Sequence, residues 1–296
     1  MKRLLGMVAL VVGLVGLLVL GARHFVFSPA ANRVGPSAPA MPANAPGPTP
    51  SVEPPGREPT ANAVPAKAAH AEDPPALPFR AGEKLDYRVR WSFFPAAATV
   101  EMTAVGHRAF DHRTAWHFQA VARTLAPVRT IYELDDQFDS YSEAATLRSL
   151  QFEMHLREQG QEQRRVVQLM RGEEAPRSDG IGVRVPEETR DALGLIYYLR
   201  TVNWPQRPEL RLPVYDGRTL YEIRAKREEA DTRVEVPAGG FQAERISLRV
   251  FRNSQPVPMT SFQLWLAHDA ARTPVLIEAE LPFGSLRVEL QPRSPQ

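Results

Sequence analysis

Four groups of residues in this 296-residue chain have the types and spacing to do chemistry. His107, His112 and His117 recur every five residues and suggest zinc. His112 falls in the turn Asp111-His-Arg and His117 in a strand, so no helical His-Glu-x-x-His face forms and the three read as solvent-facing histidines. In Tyr132-Glu-Leu-Asp-Asp-Gln-Phe-Asp139, strand alternation puts Asp136 on the apolar face with Tyr132, Leu134 and Phe138. An inward carboxylate must be paired, hydrogen-bonded or open to a cavity. The segment lacks the glycine and terminal glutamate of a calcium loop. The stretch Trp265 to Val275 leaves one strand and enters the next, so Asp269 and Arg272 can pair across the connection, or Arg272 can meet an anionic ligand at the rim. Tyr198 and Arg200 close a helical segment and join Asp136, Trp265, Asp269 and Arg272 as candidate ligand-binding residues.

The motifs of the common reactions are missing. Gly-x-Ser-x-Gly does not occur, and Gly284-Ser285 sits in a β-turn, not in a strand-to-helix elbow. Gly180-Ile-Gly182 and Gly239-Gly240 are turn glycines with no phosphate-binding helix after them. The chain holds no cysteine, which excludes disulfides, thiolate metal sites, cysteine nucleophiles and a lipid-modified cysteine. A net charge of +2 with acids interleaved among the arginines excludes a nucleic-acid partner. No cofactor, metal site or catalysis is expected.

Alternation positions these residues. Leu85, Tyr87, Val89 and Trp91 mark one strand face, with Asp86, Arg88 and Arg90 on the other. The same period recurs at Val100 to Ala104, Trp116 to Ala120, Leu150 to Met154, Tyr221 to Ala225, Ile246 to Val250, Phe262 to Leu266, Val275 to Leu281 and Leu286 to Leu290, with Pro282-Phe283-Gly284 turning the last pair. One segment differs: Ala192, Leu195, Ile196 and Leu199 form a helical face, with Asp191 as N-cap and Trp204-Pro205 beyond the end. The expected fold is all-β with one short helix. About ten strands form a curved antiparallel sheet, a half-barrel, barrel or sandwich, with the helix plugging an opening.

Three regions divide the chain. Residues 1–27 carry Lys2 and Arg3 before an apolar run from Leu4 to Leu20, which predicts a transmembrane helix with the rest of the chain exported, or a cleaved signal peptide ending at Gly21. Residues 28–78 hold 14 of the 28 prolines and read as a disordered linker. Residues 79–293 form the β-rich domain. The expected location is the inner membrane, single-pass, with the C-terminal domain in the periplasm, or a soluble periplasmic form after cleavage.

Phe79 to Trp91, the Asp-x-Phe-x-Ser-Tyr run at Asp136 to Tyr141, Asp191 to Arg200 and Trp265 to Gly284 resemble, in that order, the bacterial family called domain of unknown function 3108. The resemblance covers Phe79 to Leu290. It implies an exported protein of a Gram-negative bacterium with a mostly β fold, and brings no catalytic or binding residue with it. The expected function is binding of an envelope component, an acyl chain or glycolipid, in the concavity of the sheet. A periplasmic scaffold for a protein partner and a hydrolase using inward carboxylates are the alternatives. A large apolar cavity favours the first reading, a filled core with an exposed apolar patch the second, and two facing carboxylates in a cleft the third.

Overall fold

The computed structural model describes residues 77–174, 180–281 and 284–293. The expected anchor over 1–27, almost all of the expected linker, and the Pro282-Phe283 turn lie outside them. No helix among the described residues is long and apolar enough to cross a membrane.

In chain order the elements are β1 (Glu83–Trp91), β2 (Phe94–Phe110), β3 (Arg113–Thr124), α1 (Val128–Ile131), β4 (Asp135–Glu143), β5 (Ser149–Glu158), β6 (Gln161–Met170), β7 (Ile181–Arg184), β8 (Arg190–Asp191), α2 (Ala192–Thr201), β9 (Glu209–Tyr215), β10 (Leu220–Val236), β11 (Gly239–Arg252), β12 (Gln255–Ala267), β13 (Pro274–Leu281) and β14 (Gly284–Leu290). Among the described residues, all fourteen strands join one sheet in the order β7 to β1, then β14 down to β8. The first and last strands therefore pair in its middle, with Tyr87 opposite Leu290 and Trp91 opposite Leu286. Every pairing is antiparallel except β6 with β7 and β8 with β9. The sheet is curved and open, as expected of a β-rich domain. It has more strands than alternation revealed, because β6 begins Gln-Glu-Gln-Arg-Arg on an exposed stretch, β7 and β8 are very short, and β9 contains Pro213. Helix α1, with four residues, is too short to show a helical period.

Antiparallel order gives the curved sheet two distinct ends. The β2–β3, β4–β5, β10–β11 and β12–β13 connections lie at one end, as do the entry at Leu77 and the exit after Leu290. The β1–β2, β5–β6, β9–β10, β11–β12 and β13–β14 turns lie at the other end, together with α1. Helix α2 spans the first end. It is buried all round: Leu193, Gly194 and Tyr197 are enclosed as fully as the predicted face of Ala192, Leu195, Ile196 and Leu199. The amphipathic expectation is corrected here, since a helix inside a curved sheet has no solvent side. Tyr197 stacks on Phe118 with ring centroids 3.8 Å apart, and Phe79 meets Trp116, Phe118 and Tyr197 edge-on.

Candidate functional site

The closed end is built around α2. Its N-cap Asp191 accepts the Gly194 N–H at 2.8 Å and the Ser140 hydroxyl at 2.6 Å, while its own N–H donates to Ser149 Oγ at 2.8 Å. Complete burial pushes this carboxyl above its ordinary range, and these hydrogen bonds oppose the shift. At the helix C-terminus Arg200 binds Glu83 through two hydrogen bonds of 2.7 Å, with further bonds to the carbonyls of Ala271 and Pro78. The same guanidinium lies over the rings of Phe79 and Tyr197. A fully buried arginine held this way ties the helix, the start of β1 and the β12–β13 connection together, and each of its three guanidinium nitrogens hydrogen-bonds within the protein.

Four more candidates share this end. Arg272 donates to the Val202 carbonyl at 2.6 Å and pairs with Glu244, which also accepts from Arg227 Nε at 2.9 Å. Asp269 accepts from Thr273, at its N–H (2.9 Å) and its hydroxyl (2.7 Å). The side-chain pair expected between Asp269 and Arg272 is therefore not formed, because Glu244 offers Arg272 a buried carboxylate while Asp269 closes its own turn. Trp265 is buried in β12 opposite Arg245 and Leu276. The half-buried Tyr198 lies under the Arg190 guanidinium at 3.6 Å.

Asp136 stands apart, toward the open end. It is 3% exposed and accepts the Arg157 N–H at 2.9 Å. Glu158 is its neighbour and takes the hydroxyl of Tyr132. Burial and the negative charge of Glu158 push the Asp136 carboxyl up to about 7, so Asp136 can hold and release a proton near neutrality. Glu158 and Tyr132 complete the cluster across 26 residues of sequence, a contact that no local pattern announces.

The rim of the same end carries apolar side chains in solvent. Phe93 is 82% exposed at the β1–β2 tip, its ring 4.4 Å from Phe94, which stacks on Trp91 at 5.6 Å. Ile131 on α1 and Leu220 at the start of β10 are exposed at this rim too. Ser92 N–H donates to the Ser285 carbonyl at 2.9 Å, so the β1–β2 tip sits beside the start of β14. Trp91-Ser-Phe-Phe-Pro95 between two alternating runs was the signal for this feature: two consecutive aromatics in a tight turn cannot both face a core. Among the described residues no group of three or more His, Asp or Glu is placed to hold a metal. His117 is not solvent-facing as expected: it is 5% exposed, and its Nε2 lies 2.7 Å from Asp139 Oδ1.

The model of a protein family of unknown function, DUF3108, matches residues 86–291. The chain belongs to that family. The DUF3108 span takes in all six sequence-chosen candidates, the rim residue Phe93 and the whole of α2, but not Glu83, the partner of Arg200. No curated protein matches the chain. Among solved structures it is similar to a β-barrel-like protein of the domain of unknown function DUF1849 from Brucella abortus, with 11% identity and a TM-score of 0.45 over 72% of this chain and 98% of that one. A candidate exported protein with a YmcC-like fold from Bacteroides fragilis gives 9% identity and a TM-score of 0.34, covering 74% and 98% of the two chains. A candidate lipoprotein from Parabacteroides distasonis gives 9% and 0.35, covering 73% and 96%.

Proposed function

We propose that this DUF3108 domain is a non-catalytic binder of an envelope lipid, held in the periplasm by the N-terminal anchor, and that it takes the acyl region at the open rim of the barrel. The concavity, where the sequence suggested a ligand, is occupied by α2 and the aromatic cluster of Phe79, Phe118 and Tyr197, so the acyl-chain reading moves to the rim, and the filled core with an exposed apolar residue supports as a second reading a scaffold that meets a protein partner there. The observation that carries the reading is the 82% exposure of Phe93 at the end opposite the plug, alongside Ile131 and Leu220. Burying one such phenylalanine is worth about 1.5–3 kcal/mol, and an exposed aromatic backed by Phe94 and Trp91 marks an interaction site. The exposed Arg90 borders the rim at the end of β1 and supplies a cation for a headgroup phosphate.

The absence of cysteine allows a clean test. A chain beginning at Leu77 with Phe93→Cys, labelled with an environment-sensitive fluorophore, is mixed with vesicles of phosphatidylethanolamine and phosphatidylglycerol. Emission should shift to the blue, while the same label at the exposed Arg249 should not respond. An unchanged spectrum at position 93 refutes lipid binding by the rim.

A further inference from the structure

The outer face of β1 to β6 carries a polar trough unrelated to the rim. One part, about 600 Å³, lies over β1, β2 and β3 and is lined by Arg88, Thr99 and Glu101. A second, about 210 Å³, lies over β3 to β6 beside Gln137, His155 and Arg157. Val121 and Arg123 line both, so the two parts adjoin across β3. The larger part alone falls within the usual range of ligand clefts, about 300–1,000 Å³.

Its charges cancel. Arg88, Arg123, Arg157 and Arg293 line the trough, and Asp86, Glu101, Asp135 and Glu162 line it with them. Arg123 lies 3.8 Å from Asp135 and Arg157 3.6 Å from Glu162, and such balanced donors and acceptors do not select a polyanion or a polycation. They suit hydroxyl groups, each of which both donates and accepts.

The polar groups beside it are also held in fixed directions. Asp139 is 5% exposed although it belongs to the outer face. It accepts from Gln119 Nε2 at 2.9 Å and Gln137 Nε2 at 2.7 Å, and lies 2.7 Å from His117 Nε2. Tyr141 stacks on His117 with centroids 4.7 Å apart. Burying a carboxylate on a solvent face is costly. What it achieves here is orientation: with both amide nitrogens turned to Asp139, the amide oxygens of Gln119 and Gln137 are turned away from it. His117 Nδ1, buried and without a partner among the described residues, is a further polar atom in the same cluster.

We propose that this trough binds an uncharged polyhydroxylated ligand, a segment of glycan, with Arg123 and Gln137 contacting its hydroxyls and Asp139 acting as a positioning residue. The test uses the full-length chain in lauryldimethylamine oxide, a detergent without a sugar headgroup, titrated by calorimetry with chitotetraose and with maltotetraose. At least one should bind in the millimolar range or tighter. Arg123→Ala and Gln137→Ala should each weaken it about tenfold, as loss of a direct polar contact does. Asp139→Asn should weaken binding while leaving the urea midpoint within the range of the other two variants. Phe93→Ser, which disables the rim, should leave sugar binding intact, so the two readings fail separately. Absence of heat with both oligosaccharides at about 10 mM overturns the proposal, as does binding indifferent to Arg123→Ala and Gln137→Ala. Dextran sulfate displacing the oligosaccharide at equal saccharide concentration would show a polyanion site instead and overturn it too.

Discussion

Asp136→Asn separates a buried ionisable group from an ordinary strand residue. The Asp136 carboxyl titrates at 3.8 in an unfolded chain and is pushed up to about 7 here, first by burial and then by Glu158. The folded state therefore binds more protons than the unfolded one, and stability falls as pH rises from the lower value to the upper. At about 1.4 kcal/mol per unit, full ionisation costs about 4 kcal/mol, of which about 1.5 kcal/mol is already present at ~pH 5. Between ~pH 5 and ~pH 8 the wild-type chain should lose about 2.5 kcal/mol through this group alone. Asparagine keeps an acceptor for the Arg157 N–H and cannot ionise, so its stability advantage over wild type should grow by that amount across the interval. Asp216, pushed up to about 6 by burial, contributes a slope of the same sign to both proteins and cancels in the difference. Urea unfolding followed by tryptophan fluorescence at the two pH values measures the effect. Parallel pH profiles for the two proteins would refute the claim that Asp136 carries a buried charge above neutrality.

Leu193→Ala should cost about 2–5 kcal/mol in urea unfolding, as much as Leu195→Ala, because α2 is buried on both faces; a cost near zero at Leu193 would restore the amphipathic picture. Gly194→Ala places a methyl 2.9 Å from Ser149 Oγ and 3.0 Å from Ser142 Oγ and should cost about 1–3 kcal/mol in the same assay, with Ser142→Ala relieving part of it. Arg200→Met leaves Glu83 buried without its partner and should cost about 3–5 kcal/mol, partly recovered by adding Glu83→Gln; no recovery would mean that the aromatic packing of Arg200 dominates. A chain starting at Leu77 should melt at the same temperature as one starting at Ser28, and a large loss of stability would show that the proline-rich stretch packs on the domain.

Strand alternation, the helical spacing at Ala192 to Leu199 and the N-cap role of Asp191 were legible in the chain itself, because each depends on neighbours within a few residues and on the periods of the two backbone conformations. The β-rich class, the family and the inward side of Asp136 followed from that local order. The tertiary structure alone decided the partners. Arg200 meets Glu83 across 117 residues, Arg272 meets Glu244 across 28, and Tyr132 meets Glu158 across 26. A charged side chain in sequence looks the same whether it awaits a ligand or fastens a helix. Only the curvature of the whole sheet settles which carboxylate reaches it first. The same curvature encloses both faces of α2, buries His117 beside Asp139 and leaves Phe93 in water. Local spacing sets which face of a strand a side chain takes, and curvature of the whole sheet sets what that face meets.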